Sequence, residues 1–289
     1  MFSTRIIGVI TIYEGIVVQS IGFKKYLPIG SPEIAISYLD RWGIDEIVVL
    51  DIKASLKKKT SLFKNLKSYT RNCYTPVTAG GGIRNLKDIE NLIRNGADKV
   101  IINSHSLEDL NLINKGVKEF GSQAIMVGID VKKIKGNYSI FYFSGKKKSN
   151  YSLSETLKIL QNSGAGEIFI NSIDRDGSKK GYDLSLIKKV KSMINLPTIF
   201  CGGAGSVKDF LKVLPLNVSG VAAGNYFHFT EHSVIFLKNF LNQNFYKLIR
   251  KDKNTFSKYN TLDLNYRPAK LDDHYLENLK FKKVVKNDI

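Results

Sequence analysis

Carboxylates and glycines recur where short β-branched runs end, and that pairing sets the chemistry open to the chain. Asp130 closes the run Ala124–Asp130, and a carboxylate at the end of a buried strand is placed to pass protons. Asp51 closes Glu46–Asp51, and Asp174-Arg-Asp-Gly177 follows Glu167–Asn171. Asp176 reads equally as an acid/base group and as the turn residue of an Asp-Gly pair. The glycines form two clusters with polar partners: Gly81, Gly82, Asn103 and Ser104, then Gly177, Gly203, Gly224 and Asn225. Glycine lets backbone N–H groups close on an anion, and a following helix N-terminus adds partial positive charge. Two such cradles predict a substrate with a phosphate at each end. At the opposite strand ends stand Arg5, Glu46, Lys99 and Glu167, four charges of alternating sign. Their spacing alone reads as a stabilising ion network, with a salt-bridged gate over an axial interior as the other reading.

The elements that must position these groups are eight runs: Arg5–Thr11, Glu46–Asp51, Pro76–Gly80, Lys99–Ile102, Ala124–Asp130, Glu167–Asn171, Pro197–Cys201 and Gly220–Ala223. Amphipathic segments lie between them, at Pro32–Trp42, Leu86–Asn95, Leu107–Phe120, Leu153–Asn162 and Leu184–Ile194. Strands apolar throughout suit a parallel sheet buried on both faces. Eight β-then-α units predict an α/β protein with a closed (β/α)8 barrel. An internal repeat supports this. Gly43–Ile52 aligns with Gly164–Ile173, and Gly81–Asp88 with Gly202–Asp209, at one shared offset of 121 (164 − 43 and 202 − 81). The barrel therefore reads as two fused half-barrels. Aligning Val127–Asp130 with Gly8–Thr11 makes Thr11 the counterpart of Asp130, so one half lacks the acid that the other carries. Residues 1–241 are expected to form the barrel. Residues 242–289 read as a basic C-terminal extension, helical near Phe240–Ile249 and otherwise loosely ordered.

The chain has 44 basic against 26 acidic residues, a net charge of +18, which favours anionic ligands. Only eight of the basic residues are Arg, and no recognition-helix or zinc-finger spacing is present, so small anions fit better than nucleic acid. Two cysteines, Cys73 and Cys201, exclude a disulfide framework and suggest a reducing, cytoplasmic setting. Neither has metal-ligand spacing around it, and neither a metal nor a cofactor is expected. The apolar stretch Ile6–Ile12 is too short to span a membrane.

Five motifs in order, Ala79–Arg84, Gly96–Asn103, Phe120–Gln123, Ser172–Gly177 and Cys201–Gly205, resemble the cyclase subunit of the imidazole glycerol phosphate synthase family. The resemblance covers about Arg5 to Leu241. It implies a barrel that takes ammonia from a glutaminase docked at its bottom and uses it on a bis-phosphorylated ribonucleotide. It makes Arg5, Glu46, Lys99 and Glu167 the ammonia gate, and it places Asp98 and Gln123 at the partner interface. It makes Asp130 one of two catalytic aspartates, with Thr11 where the second belongs. Gln19 stands where the family carries a substrate-contacting lysine, and Lys24 and Lys25 are not aligned replacements. This pattern is similar to a branch serving surface polysaccharides. There, a cyclase-like barrel and a glutaminase-like partner help convert an acetamido to an acetamidino group on a nucleotide-linked sugar, with a sugar amidotransferase as the third protein. A histidine-biosynthetic cyclase and a non-catalytic ammonia conduit are the alternatives.

Overall fold

The computed structural model describes residues 3–54, 62–103, 109–245, 249–250, 261–269, 274, 277 and 278. Among them the strands are β1 (Arg5–Tyr13), β2 (Ile16–Ile21), β3 (Lys25–Gly30), β4 (Glu46–Asp51), β5 (Val77–Gly80), β6 (Lys99–Ile102), β7 (Ile125–Ile134), β8 (Asn137–Tyr142), β9 (Lys147–Ser152), β10 (Glu167–Ser172), β11 (Thr198–Cys201) and β12 (Gly220–Ala223). Eight of these run parallel in the order β10-β11-β12-β1-β4-β5-β6-β7, and pairing of β7 with β10 closes the cylinder. The fold is a closed (β/α)8 TIM barrel, and each expected run is one of its strands. No helix among the described residues is long and apolar enough to cross a membrane.

Alternation along each strand divides the apolar residues between two cores. Outward residues such as Ile6, Ile10, Ile47, Val49, Val100 and Val127 meet the helices. Inward residues Ile7, Val9, Val48, Ile101, Met126, Phe169, Ile199 and Ala222 form a separate cluster that fills the barrel axis, with Leu50 and Cys201 packed against it. The same alternation sends Arg5, Ile7, Val9 and Thr11 to one side of β1, so bottom, axis and mouth are read off a single strand.

Capping fixes where the helices begin after the glycine turns. Asp88 accepts from the N–H of Asn85 (3.3 Å) at the start of Leu86–Arg94. Its repeat partner Asp209 accepts from the N–H of Ser206 (2.8 Å) at the start of Val207–Val213. The repeat thus reaches the caps, each contributing about 1 kcal/mol.

The expected ends of two strands are too early. β1 continues to Tyr13 and β7 to Ile134 because each runs on into a hairpin, β2–β3 and β8–β9. β2 starts at Ile16 and β8 at Asn137, again 121 residues apart (137 − 16). The duplicated unit therefore carries its own hairpin above the mouth.

The helix Ser233–Phe245 runs through the expected boundary at Leu241, whose side chain is in the core. Lys238 on that helix is buried, and its Nζ donates to Gly43 O (2.5 Å) and Asp45 Oδ1 (2.7 Å). Asp45 Oδ2 in turn accepts from the N–H of Ile6 (2.8 Å), so the helix is tied to the start of β1. Beyond it, Ile249 forms a parallel bridge with Thr4. Within 261–269, Tyr266 stacks edge-on against Phe240.

Candidate active site at the barrel mouth

At the barrel bottom the four expected charges form one connected ring. Arg5 bonds both Glu46 (2.5 Å) and Glu167, while Lys99 Nζ reaches Glu46 (3.3 Å) and Glu167 (3.1 Å). Thr78 donates to Glu46 Oε1 (2.7 Å), an interaction that sequence reading missed. Each carboxylate is thereby shared between two cations, which offsets the cost of burying it. Glu46 and Glu167 are 3% and 8% exposed and Lys99 is 23% exposed, so Lys99 is the member open to solvent. Asp98 and Gln123 are exposed beside the starts of β6 and β7 at this end, and Asp98 accepts from the N–H of Val77 (2.8 Å).

Above the ring lies the apolar axis, and above that a mouth cavity with about 1100 Å³ of empty space including its opening. From Arg5 to Thr11 is six residues, or about 20 Å along the strand. Thr11, Asp51, Gly81, Asn103, Asp130, Asp176, Gly177, Gly203, Gly224 and Asn225 all line this cavity, so the structure gathers nearly the whole expected set. Gly82 does not line it. It adopts φ +75°, and a Cβ there would come within 2.9 Å of Ala54, so a side chain would crowd the turn. Ser104 lies outside the described residues.

Asp130 is buried and accepts from Asn103 Nδ2 (3.0 Å). Burial pushes its carboxyl up to about 7, the Asn103 hydrogen bond pulls it down, and the charge of Asp176 adds to the rise. At neutral pH it is therefore poised between acid and base. Thr11 shares the cavity with it, and a hydroxyl there cannot supply a second carboxylate.

Asp176 is tied to the β2–β3 hairpin. Its carboxylate accepts from Ser20 Oγ (2.6 Å) and the N–H of Phe23 (3.1 Å), both on the β2–β3 hairpin. Burial raises its pKa, with those hydrogen bonds opposing the rise. Asn225 Nδ2 donates to Ser20 O (2.7 Å), and a Cβ on Gly177 (φ +64°) would come within 2.5 Å of the same oxygen. Gly177 and Asn225 therefore hold the hairpin down as well as bordering the cavity. Asp51 Oδ1 accepts from the N–H groups of Lys53 and Ala54 (both 3.1 Å), which fixes the turn after β4.

The residues that sequence reading missed come mainly from the hairpins: Ser20, Phe23, Tyr26 and Ser144 line the cavity, as do Asn171 and Cys201 on the barrel wall. Ser144 Oγ donates to Ile52 O (2.9 Å). Gln19 is half-buried on β2, while Lys24 and Lys25 are exposed near the hairpin turn and do not line the cavity. Burial pushes the Cys201 thiol well up, so it stays protonated. No group of three His, Cys, Asp or Glu side chains that could hold a metal ion occurs among the described residues.

Comparison with known proteins bears on this arrangement. Residues 5–233 match the family described as histidine biosynthesis protein. The imidazole glycerol phosphate synthase subunit HisF of Natranaerobius thermophilus is 40% identical over 245 residues, covering 84% of this chain and 97% of that protein. The HisF subunit of Sulfolobus acidocaldarius is 39% identical, covering 84% and 98%. A putative imidazole glycerol phosphate synthase subunit, hisF2, of Vibrio vulnificus is 36% identical, covering 82% and 88%. The match spans both ends of the barrel, from the charged ring to the mouth, and the chain belongs to the histidine biosynthesis protein family, among the barrels related to the cyclase subunit of imidazole glycerol phosphate synthase.

Proposed function

We propose that the chain is an ammonia-accepting synthase subunit that works with a glutaminase partner docked at the barrel bottom, beside Asp98 and Gln123. What carries this reading is the order along one axis: a closed ring of charges, an apolar interior and a buried carboxyl at the mouth. The interior offers no polar partner, so it favours neutral ammonia over ammonium. Lys99, the most exposed member on a flexible stem, is the group whose swing opens the ring. At the mouth, ammonia adds its lone pair to an electrophilic carbon of the substrate, and the proton it sheds passes to ionised Asp130. The glycine turns at Gly81 and at Gly177, Gly203 and Gly224 hold anionic groups at two ends of that substrate.

Thr11 favours an amidination over ring closure, because only one carboxyl of a pair is present to move protons. The substrate class is then a nucleotide-linked acetamido sugar for surface polysaccharide, with a separate sugar amidotransferase that activates the amide oxygen with a nucleoside triphosphate, so that the oxygen departs as phosphate when ammonia adds. A second reading, cyclisation in histidine biosynthesis, is favoured by the names of the relatives at 36–40% identity. In a third, the barrel only conducts ammonia. The chain is read as needing no metal or cofactor, as binding neither nucleic acid nor membrane, and as cytoplasmic.

The test supplies purified chain with the ribulosyl-formimino ribonucleotide and excess ammonium salt. Efficient turnover establishes cyclisation and removes the sugar reading. Without turnover in folded protein, the chain, its glutaminase and the amidotransferase are given nucleotide-linked acetamido sugar. Acetamidino product that is lost with Asp130→Asn supports amidination, and product indifferent to that change leaves only a conduit.

A further inference from the structure

Strand β10 carries one inward-facing residue at each level of the barrel: Glu167 in the charged ring, Phe169 in the apolar axis and Asn171 at the mouth. Asn171 lies in register with Asp130 on β7 and with Cys201 on β11. Its Oδ1 is fully buried and has no hydrogen-bond partner among the described residues. An orphaned buried acceptor is costly, and native proteins keep such atoms mainly where a water, an ion or a ligand completes them.

Three features of the surroundings say what completes this one. Directly beneath, Phe169, Met126, Ile101 and Ile199 offer nothing to hydrogen-bond, so Asn171 is the first acceptor on β10 above the axis. On the adjoining strand β7, Asp130 already takes a hydrogen bond from Nδ2 of Asn103, which follows β6, so that N–H is directed at the carboxylate and not at Asn171. The Cys201 thiol beside it is a weak donor. The unpaired acceptor at Asn171 therefore suits a ligand that brings N–H groups.

We propose that Asn171 is the seat of the incoming nitrogen, its side-chain carbonyl accepting an N–H bond from ammonia where the axis opens into the mouth. An acceptor is the right partner there: it takes one N–H and leaves the nitrogen lone pair free, whereas a donor would occupy that lone pair. The seat rests on the reading of the barrel as an ammonia-using synthase, and it adds a positioning residue beside Asp130.

The test reads binding and turnover separately. The side-chain amide signal of Asn171 is followed by nitrogen-15 NMR while ammonium chloride is raised, at a pH where part of it is free base, against matched sodium chloride. A saturable response peculiar to ammonia supports the seat. A response identical to the sodium control means that water completes the atom, and the proposal falls. In turnover, Asn171→Leu removes the acceptor at similar volume and is expected to raise KM for ammonia about 5- to 10-fold, leaving KM for the anionic substrate unchanged. Asn171→Ser, which keeps an oxygen acceptor, recovers part of the loss. An unchanged KM for ammonia in Asn171→Leu overturns the proposal. A saturable NMR response in a chain that turns over no offered substrate supports the seat and counts instead against the substrate reading.

Discussion

Replacing Asp130 with Asn separates the proton chemistry of the mouth from its cost to the fold. Burial holds the Asp130 carboxyl at about 7, against 3.8 for an ordinary carboxyl. A displacement of that size corresponds to about 4 kcal/mol between its protonated and ionised forms. The folded pKa is the higher one, so the native state binds the proton more tightly than the unfolded chain does. Below about pH 4 both states are protonated and the group costs nothing. The penalty grows as pH rises towards 7 and is complete above it. Asparagine keeps the shape, carries no charge and is spared that penalty. Asp130→Asn is therefore expected to be more stable than the parent at pH 8.5 by up to about 4 kcal/mol, with the advantage shrinking towards zero near pH 4. Urea unfolding at a series of pH values reads this directly. Turnover should be lost in the same variant, and in the parent it should rise through a midpoint near pH 7. Parallel stability curves for the two proteins between pH 4.5 and 8.5 would refute the assignment of burial as the cause.

Three further outcomes follow from the geometry. Glu46→Gln leaves Arg5 and Lys99 sharing one carboxylate, so it should destabilise the chain by about 3–5 kcal/mol in urea unfolding and make the loss salt-dependent. Lys238→Met leaves Asp45 buried without its cation at a similar cost, and adding Asp45→Asn should recover part of it. Gly177→Ala forces a Cβ against Ser20 O at a positive φ, for about 1–2 kcal/mol. It should displace the β2–β3 hairpin, raising KM for substrate more than it lowers stability, and trypsin sensitivity at Lys24 and Lys25 reports the displacement.

The barrel was legible because its strands are buried on both faces, and continuous apolar runs such as Glu46–Asp51 have no other home in an α/β chain. The hairpins were not. Lys25–Gly30 holds Pro28 and is largely exposed, and Lys147–Ser152 is a polar run, so both look like loops until pairing makes them edge strands. The missed site residues follow from that: Ser20, Phe23, Tyr26 and Ser144 sit on or beside strands that sequence pattern does not announce. Asn171 is different. Counting in twos from Glu167 through Phe169 would have found it, but asparagine at a strand end reads first as a turn residue. The charged ring was visible as four charged residues at strand starts. That it closes into one network depends on side-chain reach, which no spacing encodes.

The tips of the two hairpins are fastened to opposite halves. Ser20, Gly22 and Phe23 bond to Asp176 in the second half, while Ser144 bonds to Ile52 in the first. Neither half can shut its own end of the mouth. If the chain were split near Gly121, each fragment would present a tip that has native bonding partners on the other fragment. Reassembly would thus discriminate between a complementary piece and a second copy of the same piece, and fusion of the two halves secures by covalent linkage a pairing that the tips otherwise select.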